Sequence, residues 1–134
     1  MEKTIAHLGF IQGVISRMGA NSFLLKGWSV TLVAAIFALS AKDANFKFVL
    51  IAYFPVIVFW VLDSYFLHQE RLFRKLYEGV ASGRISSEKF TMDTTIVRND
   101  VASICCAAFS KTLLIFHGAV IAIVLFAMFF IMKP

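Results

Sequence analysis

Residues 23–66, FLLKGWSVTLVAAIFALSAKDANFKFVLIAYFPVIVFWVLDSYF, hold two apolar runs, 23–41 and 48–66, separated by the six residues 42–47. An α-helix rises about 1.5 Å per residue, so each run reaches about 28 Å, close to the roughly 30 Å of hydrocarbon in a bilayer. The stretch therefore predicts a transmembrane hairpin. With the turn centred between Asn45 and its neighbours, residues whose numbers sum to about 89 lie at equal depth, because both helices rise at the same rate. Lys26 then faces the level of Asp63, and these are the only formal charges inside the two runs. The Asp63 carboxylate has a short stem and cannot snorkel far, so at membrane depth it needs a cation or a proton. Lys26 is the partner that depth matching supplies, as an inter-helix ion pair. Alternatively, Lys26 and Trp28 are interfacial anchors, with the ammonium snorkelling to water. Pro55 lies near the middle of the second run, where it frees the carbonyl of Ile51 and predicts a bend. That bend reads as a packing feature or as a gating hinge.

Composition sets the class. Hydrophobic residues make up 60% of the 134-residue chain and the mean hydropathy is +0.81, values that only a membrane protein reaches comfortably. Glu2, His7, Gln12 and Arg17 run through residues 1–21 where a cleavable signal would carry a compact apolar core, so the first span is expected to serve as its own insertion signal. Lys3, Arg17, Lys26, Arg71, Arg74, Lys75, Arg84, Lys89, Arg98 and Lys111 fall on one side of a three-span arrangement and only Lys42, Lys47 and Lys133 on the other, 10 against 3. This bias predicts a cytoplasmic N-terminus and an outer C-terminus. Cys105 and Cys106 are neighbours on the cytoplasmic side, where thiols stay reduced, and read as small apolar packing residues.

Outside the hairpin, Ile5, Leu8, Ile11, Val14, Ile15 and Met18 recur at helical spacing and predict an N-terminal amphipathic helix. It either lies in the headgroup layer or continues into the first span, and Gly9, Gly13 and Gly19 are compatible with both. Beyond Asp63, Leu62, Tyr65, Phe66, Gln69, Leu72, Phe73, Leu76, Tyr77 and Val80 keep a three/four spacing that carries the second helix to Ala81. Glu70 with Arg74, and Arg74 with Glu78, are expected i,i+4 pairs. The same numbering sets Arg17 opposite Leu72, so the two extensions should form a cytoplasmic stalk. Residues 82–93 read as the connection that turns the chain, after which a third helix restarts with Asp93 or the Asn99–Asp100 pair as N-cap. Its membrane run, 113–132, holds a small-residue patch, Gly118, Ala119 and Ala122. It also holds His117, expected to bond a carbonyl or a neighbouring helix rather than a metal. Phe126, Phe129 and Phe130 are candidate pore or gate residues that could close a water path by dewetting, or they face lipid.

The expected fold class is an all-α membrane protein with three transmembrane helices (about 23–41, 48–66 and 113–132), an N-terminal amphipathic helix and cytoplasmic helical extensions. It forms one integral membrane domain: 1–22 amphipathic helix, 23–66 hairpin, 67–111 cytoplasmic helical region and loop, 112–134 third helix. No phosphate-cradling loop, zinc spacing, nucleophile elbow or dinucleotide fingerprint is found, so no catalytic residue, metal or cofactor is assigned and an enzyme is not expected. Three spans are too few to enclose a water path, so conduction would require an oligomer. A competing reading is a non-conducting anchor or adaptor that tethers a cytoplasmic partner or ligand through Arg71, Arg74, Lys75, Arg84 and Lys89, a surface that could also meet lipid headgroups or nucleic acid.

The residues Ile11-Gln12, Val14-Ile15, Arg17-Met18, Asn21-Ser22-Phe23 and Lys26-Gly27-Trp28, followed by Phe59-Trp60, Leu62-Asp63, Gln69-Glu70-Arg71, Phe73-Arg74 and Leu76-Tyr77, resemble the pattern of small multi-pass membrane effectors found in bacterial antiphage defence loci, nearest to those of the Hailong system. The resemblance covers roughly the first 80 residues and includes Lys26, Trp28, Asp63 and Arg71. It implies a homo-oligomeric ion channel, here taken as a tetramer, that depolarises the inner membrane when released. It also implies a nucleotidyltransferase partner that holds the channel inactive through the DNA oligomers it makes. The third run matches no motif of the group.

Overall fold

The structure, a computed structural model, describes residues 1–43 and 46–132. Asn45, the expected centre of the turn, and Lys133 and Pro134 lie outside the described residues. Among the described residues four α-helices follow one another, α1 (Glu2–Asp43), α2 (Phe46–Ala81), α3 (Ile104–Ala108) and α4 (Lys111–Met132), with a 3-10 helix, η1 (Thr94–Asp100), between α2 and α3. The fold is all-α, with no strand among the described residues. Three of the helices are long and apolar enough to cross a membrane, and the chain is a multi-pass membrane protein.

The N-terminal segment is continuous with the first span. At 42 residues, α1 is about 63 Å long, twice the hydrocarbon thickness, so half of it must project. The 36 residues of α2 run unbroken through Pro55 and match it. The helices pack along their length around two cores. One, in the projecting stalk, contains Ile11, Ile15, Leu72, Leu76, Val80 and Val97. The other, at membrane depth, contains Val33, Val49, Ala52, Val56, Val120 and Val124, the last two from α4. The inward positions of α2 fall in two stripes, Val49, Ala52, Val56 and Asp63 in the membrane half and Leu72, Leu76 and Val80 in the stalk, offset by about half a turn because Leu72 comes nine residues after Asp63; Leu62 and Tyr65, expected on the inward stripe, are exposed.

The stalk corrects the expected register at its tip. Ile5 is exposed and His7 is fully buried in its place, because the 82–93 connection folds back onto α1 and offers polar partners there. His7 Nε2 lies 2.6 Å from the carbonyl oxygen of Thr91 and Nδ1 lies 3.0 Å from the Ser87 hydroxyl. The connection begins where Gly83, at φ 82°, takes the left-handed conformation that ends a helix, its N–H donating to the Val80 carbonyl. Phe90 also has positive φ, 47°, and sets its ring edge-on to His7 and Phe10.

The start of the third span also differs from expectation. Asp93 caps η1, not a membrane helix, and the Asn99–Asp100 pair ends η1. The β-branched run Thr94–Thr95–Ile96–Val97 disfavours an α-helix, and the chain goes extended at Val101 before Ser103 starts α3. The third span begins only at Lys111. Cys105 and Cys106 are both exposed on α3, which corrects their reading as packing residues. Arg74 bonds Glu70 at 2.9 Å as expected, whereas Glu78 pairs with Lys75 at 3.2 Å and not with Arg74, one acceptor being enough for each guanidinium or ammonium at a wet surface.

The Asp93 cap yields a pH prediction. Hydrogen bonds from the Thr95 hydroxyl and then from the Thr95 amide hold its carboxyl below the ordinary carboxylate value. A folded-state pKa that is depressed contributes stability above the unfolded value and loses it as pH falls through the folded one. The protection of the Thr95 amide, taken relative to the intrinsic exchange rate at each pH, should therefore fall on acidification below the usual carboxylate range. Asp93→Ala should show fast exchange at every pH, and unchanged protection in that variant would refute the cap.

Candidate functional site

Each long helix contributes one ionisable side chain to a single point. Ser22 and Lys26 are one turn apart on α1 and share a face; Asp63 comes from α2 and His117 from α4. Asp63 is fully buried, and Lys26 Nζ lies 2.6 Å from its Oδ2. His117 Nε2 lies 2.8 Å from the same oxygen, and the Ser22 hydroxyl donates to Oδ1. Lys26 also donates to Ser22 Oγ at 2.8 Å, closing the ring of contacts between α1 and α2. A carboxylate can accept several such bonds at once, which is what allows a charge to sit at this depth.

Aromatic rings wall the cluster. The indole of Trp60 stacks on His117 with centroids 5.7 Å apart and planes 7° from parallel, and Phe116 meets His117 edge-on at 5.0 Å. Lys26 Nζ sits 5.8 Å from the centre of the Phe116 ring, within cation–π range. Trp60 Nε1 in turn donates to the Ala108 carbonyl at 2.9 Å, tying the end of α3 to α2. His117 Nδ1 has no partner among the described residues. With Nε2 facing a carboxylate oxygen, the proton of that bond sits on Nε2, which donates to Asp63 Oδ2.

The arrangement is a polar clip in which an ammonium, a carboxylate and an imidazole join three helices. No group of three or more His, Cys, Asp or Glu among the described residues is placed to hold a metal. α4 packs chiefly on α2, so the His117–Asp63 bond is a polar anchor that fixes α4 in both register and depth.

The other sequence-predicted residues lie elsewhere. Phe126, Phe129 and Phe130 are 72%, 67% and 71% exposed; Phe126 and Phe130 stack on each other with centroids 6.3 Å apart. They occupy the outer face of α4 with Ile115, Ala119 and Ala122, opposite the packed residues Leu113, His117, Val120 and Val124. Of the basic residues, Arg71, Arg74 and Lys75 come together with Glu78 and Asp100 around a shallow depression of about 280 Å³. Arg84 bonds Ser82 in the turn after α2, and Lys89 is exposed on the connection; neither lines the depression. Sequence reasoning missed Ser22, Trp60 and the assignment of His117 to Asp63. One signal was available: His117 is the only ionisable residue in 113–132, as Lys26 and Asp63 are the only formal charges in their runs.

No protein-family model matches the chain, and neither curated proteins nor solved structures gave a match.

Proposed function

We propose that the protein is a membrane effector of bacterial antiphage defence: a homo-oligomer, taken as a tetramer, that conducts ions and depolarises the inner membrane when activated. The observation that carries this reading is the two-faced α4. One face is clipped to the hairpin through His117, and the other presents Ala119 and Ala122 between Ile115 and the exposed phenylalanines. Small residues let a second helix approach closely, and phenylalanines at an axis can close a pore by dewetting. The polar side chains of the Asp63 cluster bond one another, so a water path would run between copies, not through one bundle. The 10 against 3 distribution of basic residues supports a cytoplasmic N-terminus and stalk, and the resemblance of the first two helices to Hailong-type effectors supports the defence role. A nucleotidyltransferase and its nucleic-acid product are the regulatory partners this reading implies, with Arg71, Arg74 and Lys75 as the contact surface.

Expression of the protein in cells carrying a membrane-potential dye should collapse the potential and arrest growth, and Phe126→Ala with Phe129→Ala should change the conductance without lowering the amount of protein in the membrane. An intact potential in both infected and uninfected cells would overturn the reading. Loss of activity on neutralising Arg71, Arg74 and Lys75, with no effect of the phenylalanine changes, would favour the tethering adaptor instead.

A further inference from the structure

α3 is five residues long and packs on α2, yet most of its surface is uncovered. Ile104 is 39% exposed, Phe109 at its end is 66% exposed, and both thiols are exposed. Below it runs a groove of about 190 Å³ lined by Ile57, Trp60, Val61, Ser64, Ala108 and Phe109. The groove continues onto the outer face of α2, where Ile57 and Val61 are themselves more than half exposed.

The depth of α3 follows from its neighbours. Its last carbonyl is held by the Trp60 indole, one turn from Asp63. Lys111 opens α4 six residues before His117, which bonds Asp63, so it stands about 9 Å from the cluster along the helix. α3 therefore lies beside the last turns of the apolar run of α2 and next to the start of α4, flanked in sequence by Arg98 and Lys111. A short helix at that level with apolar side chains outward and basic residues at its margins has the character of an interfacial element. A protein occupant fits less well, because a stable protein interface needs about 800 Å² from each partner, far more than a five-residue helix offers.

We infer that α3 is a lipid-seating element. The helix lies in the headgroup layer with Cys105 and Phe109, one turn apart on one face, against the acyl region, and an acyl chain of a bilayer phospholipid fills the groove between α2 and α3. This inference rests on the multi-pass membrane reading and not on conduction.

The chain has two cysteines and two tryptophans, which makes the test direct. In membrane fragments open on both faces, Cys106→Ser leaves Cys105 alone, and Cys105→Ser with Cys106→Ser and Asn99→Cys supplies a reference thiol on exposed η1. The ratio of the rate with an uncharged, lipid-soluble maleimide to the rate with a charged, bilayer-impermeant one should be about tenfold higher for the Cys105 thiol than for the N99C thiol, since the thiolate requirement slows both reagents alike at a site partitioned into the bilayer. Equal rates with the charged reagent would overturn the inference. An equal ratio at the two thiols would also overturn it, by showing that Cys105 meets the same medium as exposed η1. In reconstituted Trp28→Phe protein, lipids brominated along the chain should quench the emission of Trp60, and absence of quenching would empty the groove. Depolarisation could fail with all these results intact, so the two readings stand or fall separately.

Discussion

Asp63→Ala should lower the stability of the folded protein by about 3–5 kcal/mol, the cost of removing one partner from a buried charge pair. The loss comes less from the attraction that disappears than from what is left behind. Lys26 would remain near the membrane level with Ser22 as its only described acceptor, and His117 would lose the single bond recorded for its buried ring. Lys26 keeps 18% of its side-chain surface exposed, so it has a partial route to water by snorkelling and the effect should fall toward the lower end of the range. Asp63→Asn should cost less, since the amide oxygen still accepts from Ser22. Adding Lys26→Met to Asp63→Asn should recover much of the loss, because replacing both members of a buried pair is often close to neutral. Unfolding of the purified protein in mixed micelles, followed by helical circular dichroism, would measure all three. If the double variant were no more stable than Asp63→Asn alone, the ion pair would not be what holds this junction.

The reach of the sequence followed from where the chain is regular. Two helices with the same rise per residue keep matched depth, so numbers alone paired Lys26 with Asp63, and the three/four spacing carried α2 out to Val80, although Leu62 and Tyr65 at the start of that stripe face outward. That logic stops at Ala81. Between α2 and α4 the chain uses a left-handed glycine, a positive-φ phenylalanine, a 3-10 helix and an extended break, and no counting scheme carries depth through such a path. His117 was legible as a lone polar group in an apolar run, but not as a ligand of Asp63, because its register depends on that irregular path. Ser22 was hidden for a different reason: a hydroxyl carries no charge and reads as a neutral helix residue until a carboxylate is placed beside it. At the stalk tip, the apolar period pointed to Ile5, and His7 took the buried position because Ser87 and the Thr91 carbonyl, 80 and 84 residues away, satisfy both of its ring nitrogens. Burial of a histidine is decided by partners, which periodicity does not contain.

Leu76→Ala, in the stalk, should cost about 2–5 kcal/mol, the range for truncating a buried leucine in a core formed in water. Leu76 is fully buried between Ile11, Ile15, Leu72 and Val97, and α1 and α2 are each far longer than the hydrocarbon layer, so this core lies where solvent drives burial. The membrane core is held together differently. Lipid tails are as apolar as a valine side chain, so association there gains packing but little transfer free energy. Val80→Ala and Val56→Ala remove the same two methyl groups from sites that are 2% and 0% exposed, which turns the two cores into a controlled comparison. At about 0.8 kcal/mol per buried carbon, Val80→Ala forfeits about 1.6 kcal/mol of transfer in addition to lost contacts, whereas Val56→Ala forfeits the contacts alone. The stalk substitution should therefore be the more destabilising by roughly that difference, read as a shift in the same micellar unfolding curve. Equal costs would mean that both cores are shielded from water to the same degree, and the division of α1 and α2 into a membrane half and a solvated half would have to be abandoned. A larger cost at Val56 would reverse it, placing the dominant stabilisation in the α2–α4 contact and making the stalk the weaker end of the molecule.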